Sequence, residues 1–537
     1  MKKLRQPIIW PILIILALLF AAYAAYLSIK TSSRGGKLSP GIRALMNEPG
    51  YKQASWGLLA VDRRNGKMIA DFNSEKLFVP ASTTKLFTVA AALHVLGKDH
   101  LFKTPVYQLG SIDKNGALYG DLVLVASGDI TLGGRRNPDG TMAYTSMDHT
   151  DANSINGATL TPTKPLAGLD NLARQVADTG IKRIRGEIII DARIFPQGQP
   201  TNSDADYVLS PIMINDNLID FIIKPTEPGN PALVVWQPFT EFYDFDVLVN
   251  TVAPGKSSQI IITSPEKRTI QVRGQIAADQ AQLVRTYQVK DPTAYGRALF
   301  IEALEQAGIV VDASLRKNNP TIRLPDKEKY AELKKIAEYT SLPFSEYAKM
   351  ILKVSHNPGA DTLLYLIANK QEKKSFADGL AIEKEFLSQA KVDLKAVFLG
   401  DGQGGVREDL ISPKAAVELL RYMAKRPDFE TYHLALPILG VDGSLASMAR
   451  PNSPVRGKVQ AKTGTTILFI PMNETPFLLS KGLAGYLTTK KGREVAFAFY
   501  VNNVNMSQAK NFDDILDFVT RAGTDLGKIC EAIYLEN

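Results

Sequence analysis

The run Val79-Pro80-Ala81-Ser82-Thr83-Thr84-Lys85-Leu86-Phe87-Thr88-Val89-Ala90-Ala91-Ala92-Leu93 leaves this chain few ways to fold. A proline turn feeds an apolar, alanine-rich segment that reads as a buried helix, so the rest of the chain must supply a core around it. Ser82 stands at its start. Residues three apart share a helical face, so Lys85 sets its amine beside the Ser82 hydroxyl. A lysine held among apolar neighbours loses its charge more easily and becomes a base for that serine. Alone, S-x-x-K is more often an N-cap serine with a solvated lysine.

Two further motifs change that balance. Lys353-Val354-Ser355-His356-Asn357 contains S-x-N, and Val459-Gln460-Ala461-Lys462-Thr463-Gly464-Thr465 contains K-T-G, so the three occur in the order S-x-x-K, S-x-N, K-T-G. Ser355 offers a hydroxyl that can relay a proton to a leaving nitrogen, and Asn357 an amide that can hold a substrate amide. Lys462 and Thr463 supply a charge and a hydroxyl suited to a terminal carboxylate, while Gly464 lets a backbone approach closely. His356 reads as a bystander, since the middle of that triplet needs no imidazole.

With these motifs the sequence resembles the penicillin-recognising serine peptidases. The 273 residues from Ser82 to Ser355 narrow the likeness to the D-alanyl-D-alanine carboxypeptidase/endopeptidase family of low-molecular-mass penicillin-binding proteins, which carry extra domains between the first two motifs. Supporting phrases are Gly120-Asp121-Leu122-Val123-Leu124-Val125-Ala126-Ser127-Gly128-Asp129, Ile184-Arg185-Gly186-Glu187, Asp401-Gly402-Gln403-Gly404 and Leu439-Gly440-Val441-Asp442-Gly443-Ser444-Leu445. The likeness covers nearly everything after about residue 45. It departs at Gln403, where the family usually has serine, and at 466–480, which looks like an addition after the third motif.

The resemblance implies a DD-peptidase-like α/β (α+β) catalytic domain built from residues 38–105 and 333–537, interrupted by a mainly β insertion over 106–332. It implies that Lys85 deprotonates Ser82, that Ser82 attacks the carbonyl between two D-alanines, and that water hydrolyses the acyl-enzyme. Backbone N–H groups of Ser82 and Thr465 would form the oxyanion hole, Lys462 and Thr463 would hold the carboxylate, and Ser355 would protonate the departing amine. The expected partners are peptidoglycan stem peptides and β-lactam antibiotics, and the chemistry requires neither metal nor organic cofactor. Asp129, Asp401 and Asp442 read as turn-forming aspartates beside glycine. Asp204 and Asp206 lie in an inserted loop where relatives can carry an acidic contact to a diamino-acid amine. A β-lactamase would share the nucleophile but is usually compact, and a non-catalytic wall-binding protein should have lost a motif residue, whereas none is missing. Carboxypeptidase and endopeptidase use the same centre and are not separated by sequence.

Composition bounds the remainder. The 537 residues, 45% hydrophobic and 22% charged, can build two or three cores. The net charge of +8 is spread rather than blocked, and no pattern of aromatic and basic residues favours nucleic acid. The lone Cys530 excludes an intramolecular disulfide. Lys2, Lys3 and Arg5 precede an uncharged apolar segment over 7–29, long enough to span a bilayer, so residues 1–37 read as a cytoplasmic tail, membrane anchor and linker. Ala22-Tyr23-Ala24 keeps cleavage of that segment open. Helical periodicity within the insertion occurs only at 166–179 and 293–307, and residues 133–157 read as a flexible excursion. Residues 465–479 read as a lengthened hairpin beside the K-T-G motif.

Overall fold

The computed structural model describes residues 38–154, 156–200 and 207–537. The 7–29 segment, Asp204 and Asp206 lie outside the described residues. No helix among those described is long and apolar enough to cross a membrane.

Five antiparallel strands form the sheet that carries the site, in the order Val459–Ile470, Thr475–Thr488, Glu494–Asn505, Ser55–Asp62, Met68–Phe72. Ser55–Asp62 pairs along its length with Glu494–Asn505, from Ser55 opposite Asn502 to Asp62 opposite Val495, so the two ends of the chain close one sheet. Strand alternation then sorts the side chains by face. Phe497, Phe499 and Val501 pack against Leu526, Ile529, Cys530 and Ile533 of the C-terminal helix Phe512–Glu536 and against Ile42 and Leu45 of the helix Pro40–Met46. Ala496, Ala498 and Tyr500 turn the other way, where small side chains let helices lie close to the sheet. Burial pushes the Cys530 thiol up, which makes it a packing group rather than a nucleophile.

On that second face lies the helix Lys85–Leu96, whose residues from Lys85 to Leu93 are all buried. It is apolar around its circumference because helices surround it, among them Phe344–Val354, Asn357–Lys370 and Phe376–Gln389. Between this helix and Phe344, the chain builds three further sheets. The largest has the order Val310–Val311, Arg183–Ile184, Ala117–Val125, Leu101–Ile112, Lys334–Pro343, with Ile188–Asp191 also paired to Ala117–Val125. Two three-stranded sheets are centred on Thr269–Ala277 and Leu218–Lys224. The helices Ala167–Asp178 and Pro292–Gln306 fill the core between the sheets, within a residue of where helical periodicity put them.

After the K-T-G motif the strand runs on to Ile470, turns, and returns from Thr475 opposite it. The base of this hairpin is core, with Leu478 fully buried, while Ile467, Phe469 and Met472 near the tip are exposed. Leu478→Ala is therefore expected to cost about 2–5 kcal/mol. The double change Ile467→Ser with Phe469→Ser should stay within about 0.5 kcal/mol. Urea unfolding measures both, and equal losses would show that the tip packs against something.

Candidate active site

Ser82 stands just outside the α-helix rather than in it. Ala81–Thr84 is a 3-10 turn, and the α-helix begins at Lys85. Three residues complete one 3-10 turn, so positions i and i+3 eclipse, and Lys85 Nζ comes to 2.9 Å from Ser82 Oγ. Ala81 has φ 47°, a left-handed conformation that costs a non-glycine residue about 1–3 kcal/mol. The 401–406 loop braces this strained turn. Asp401 gathers the backbone N–H groups of Gln403, Gly405 and Val406. That loop brings Gly404 so close to the nucleophile turn that a β-carbon on it would sit 1.9 Å from the Ala81 carbonyl oxygen.

Lys85 is wholly buried, and its amine has three neighbours: Ser82 Oγ at 2.9 Å, Asn357 Oδ1 at 2.6 Å and the Gln403 carbonyl at 2.9 Å. The amide and carbonyl oxygens can only accept, so they take two N–H bonds. A neutral amine has two such hydrogens and one lone pair, which leaves the lone pair for the Ser82 O–H. Burial lowers the Lys85 pKa to about 8, against the opposing pull of Asp401 and Asp361. The acids behind it blunt one another: burial, and then the charge of Asp401, pushes Asp361, Glu383 and Asp409 up.

The second and third motifs close on this pair. Ser355 caps the helix Phe344–Val354 in a left-handed conformation, φ 71°, and Asn357 opens the next helix, so the triplet turns a tight corner between the two. Lys462 Nζ donates to Ser355 Oγ at 2.8 Å and to the Thr463 carbonyl at 2.9 Å, and is buried deeply enough that its pKa falls well below the usual lysine value. Thr463 Oγ1 lies 2.9 Å from Ser444 Oγ, and Thr465 Oγ1 accepts from Lys481 Nζ at 2.8 Å. The edge strand passes directly against the nucleophile turn at Gly464, where a β-carbon would meet the Pro80 carbonyl at 2.4 Å and Ser82 N at 3.4 Å. Ser82, Lys85, Ser355, Asn357, Lys462, Thr463, Gly464 and Thr465 thus gather in one place. The three aspartates shape turns: Asp129 accepts from Thr131 N and Leu132 N, and Asp442 accepts from Ile438 N and pairs with Lys353.

His356 is no bystander. Its Nδ1 accepts from Gly359 N at 2.9 Å and caps the helix that begins at Asn357, so Nε2 carries the hydrogen that bonds Asp216 Oδ1 at 2.9 Å. Asp216 sits in Asn215-Asp216-Asn217, three successive left-handed residues with φ of 51°, 55° and 55°. Its other oxygen accepts from Arg135, which is bidentate to Asp148, and from His149, which also bonds Asp220. Burial alone would lower the His149 pKa, but Asp220 and Asp148 raise it to about 10. Asp148, His149 and Asp216 bring three potential metal-ligating atoms within 4.8 Å, and the Arg135 guanidinium is the cation that occupies their midst. Nothing in the spacing of S-x-N announces this network. Only the run of Asn and Asp, residues that tolerate left-handed backbone, marks an unusual turn.

A cleft of about 790 Å³ opens from Asn357 and Gln403 between the insertion and the motifs. Asp151 and Tyr207 line it, as does Arg285. Asp151 was not evident from sequence, yet its charge acts on both Lys85 and Lys462.

A buried serine–lysine pair under an S-x-N corner and a K-T-G edge strand defines a serine peptidase of the serine–lysine type. The chain belongs to the D-Ala-D-Ala carboxypeptidase 3 (S13) family, whose model matches residues 38–522, as the order of the motifs implied. It is therefore a serine-type D-alanyl-D-alanine peptidase. The D-alanyl-D-alanine carboxypeptidase of Actinomadura sp. (strain R39) is 28% identical over 494 residues, spanning 88% of this chain and 82% of that protein. The D-alanyl-D-alanine carboxypeptidase DacB of Haemophilus influenzae is 26% identical over 471 residues, spanning 83% and 85%. The fold is similar to the crystal structure of penicillin binding protein 4 (dacB) from Haemophilus influenzae, with a TM-score of 0.65 at 21% identity, covering 91% of this chain and 99% of that one.

The His356 network yields a test. Asp216→Ala strips His356 and Arg135 of a shared buried partner, and the loss in unfolding free energy should be about 3–5 kcal/mol. Cleavage of a D-alanyl-D-alanine peptide by the folded protein should drop as well, because Asn357 loses the capped helix that aims it at Lys85. Wild-type turnover in the variant would separate the network from the site.

Proposed function

We propose that the chain cleaves after D-alanine in peptidoglycan stem peptides through an acyl-enzyme on Ser82. The observation that carries this is the Lys85 amine at 2.9 Å from Ser82 Oγ, with its other two neighbours on atoms that only accept. As Oγ bonds the scissile carbonyl carbon, the Ser82 proton passes to Lys85. The oxyanion that forms is met by the backbone N–H groups of Ser82 and Thr465, a contribution of a few kcal/mol. Lys462 donates to Ser355 Oγ, which leaves the Ser355 O–H free to protonate the nitrogen as the amide C–N bond breaks. Ser355 recovers its proton from Lys462. Water then attacks the ester; its proton returns to Lys462 through Ser355, and Lys85 reprotonates Ser82. Asn357 gives its Oδ1 to Lys85, so its NH₂ remains for the substrate backbone. Thr463 and Thr465 hold the terminal carboxylate with Lys462, and Gly464 keeps the strand close enough to do so.

A β-lactam would acylate Ser82 by the same route, its ring amide opening without releasing a fragment. In this reading residues 38–105 and 333–537 form the catalytic unit, supported by the pairing of Ser55–Asp62 with Glu494–Asn505, and 106–332 form the insertion. Residues 7–29 would anchor the protein in the cytoplasmic membrane, with Lys2, Lys3 and Arg5 inside and the peptidase in the cell envelope beyond it.

Penicillin should add covalently to wild type and not to Ser82→Ala, as read by intact-protein mass. Persistence of the adduct in the variant rejects Ser82. Because burial holds Lys85 at about 8, below the usual lysine value, the base form is gained as pH rises through that value. The acylation rate constant should therefore climb to a plateau above about pH 8, and a flat profile would show that Lys85 is not the base. Lys85→Ala should lower that rate by roughly 10²–10⁴. Lys462→Ala, which leaves Ser82 and its base in place, should leave more residual activity.

A further inference from the structure

Asn357 accepts from the Lys85 amine, and Asp361 stands four residues further on, so the two share one face of the helix Asn357–Lys370. Asp361 is fully buried. Its Oδ1 accepts from Gly402 N at 2.9 Å, and the next residue, Gln403, gives Lys85 its other acceptor, the carbonyl at 2.9 Å. The loop lies tightly on this helix, since a β-carbon on Gly402 would meet the Ala360 carbonyl oxygen at 2.6 Å. Thr88, three residues after Lys85, donates to the Gly402 carbonyl at 2.9 Å and holds that peptide from the other side. One helix face therefore sets both acceptors of the amine, Asn357 directly and Gln403 through Asp361.

The second oxygen of Asp361 is held from the insertion. Tyr207 lines the cleft, packs its ring against the core around Lys85–Leu96, and donates its O–H to Oδ2 at 2.5 Å. With a donor on each oxygen, the ionised carboxylate satisfies both, whereas a protonated one must turn one donor away. Burial and the charge of Asp401 push Asp361 up to about 7, and the bonds from Tyr207 and Gly402 pull it down. Its charge favours the charged form of Lys85, as do those of Asp401, Asp151 and Asp409, while Lys462 faces the amine as a like charge. Glu383 beside Thr88 and Tyr365 on the helix of Asp361 complete the titratable groups around the pair.

We infer that Tyr207 and Asp361 are positioning residues through which the insertion holds the Gln403 carbonyl against Lys85 and keeps one negative charge behind the serine–lysine pair. This rests on the assignment of Lys85 as the base for Ser82. Neither residue accepts the Ser82 proton; both act through the amine that does.

The test is the rate constant for acylation of Ser82 by penicillin, followed by intact-protein mass from about pH 6 to about pH 10. Wild type should show a midpoint of about 8. Asp361→Asn keeps the shape and an oxygen for Gly402 N–H and removes the charge, so the amine sheds its proton more readily and the midpoint should fall by about 1 pH unit. Tyr207→Phe keeps the ring and removes the donor, so Asp361 stays protonated to higher pH and the midpoint should fall by about 0.5 unit. The double variant should match Asp361→Asn alone, because Tyr207 acts through that carboxylate. A loss of rate at every pH with the midpoint unmoved, a midpoint that rises, or single shifts that add in the double variant overturns the inference. Should Asp361→Asn fail to fold by thermal melting, the midpoint of Tyr207→Phe decides by the same outcomes. A wild-type rate that is flat with pH would instead reject Lys85 as the base.

Discussion

The site depends on three contacts at one nitrogen. Lys85 Nζ meets Ser82 from the same turn, Asn357 from the corner between two helices, and the Gln403 carbonyl from a loop held by Asp401. Asn357 and Gln403 lie 272 and 318 positions from Lys85 in the chain, so the fold must converge on the amine before it can act as a base. Two acceptors that cannot donate fix its hydrogens, and burial removes the water that would otherwise keep it charged. The strained Ala81 and Ser355 conformations are the backbone cost of bringing those groups together.

The insertion contributes more than a wall to the cleft. Through Asn215-Asp216-Asn217 it reaches the middle residue of S-x-N, and the Arg135–Asp148–His149–Asp216 cluster fixes the acceptor that holds His356. A helix cap worth about 1 kcal/mol elsewhere is here tied to a buried ionic network, so displacement of the insertion would be felt at Asn357. Such coupling is carried by contiguous contacts, from His149 through Asp216 and His356 to the start of the Asn357 helix.

Chemistry was legible in the sequence where it resides in short, nearly rigid units. S-x-x-K could be read because three residues make one turn, and the apolar run after it because a helix buried all round shows no polar stripe. The hairpin after Lys462 could be read from Pro471, Asn473 and the apolar segments beside them. His356 could not, because its partner Asp216 is 140 positions away and owes its placement to three left-handed residues. Lys481 was hidden for a similar reason: on a strand, one charged residue among apolar neighbours reads as an outward-facing position. Only the register opposite Thr465 shows it to be buried. Asp151 lay within residues 133–157, whose polar, glycine-rich composition resembles a free loop, whereas His149 in the same stretch is buried and ionically tied.

Collecting Lys85, Lys462 and Lys481 in one interior has a thermodynamic sign. Each binds its proton less tightly when folded than when exposed in the unfolded chain. The unfolded state therefore holds more protons between the folded value, about 8 for Lys85 and Lys481, and the usual value near about 10.5, and stability from this source rises with pH across that window. Below it Lys85 and Lys481 are charged in both states, and their burial penalty is fully present. The site is thus least favourable to its own fold under the conditions in which its positive charge is greatest.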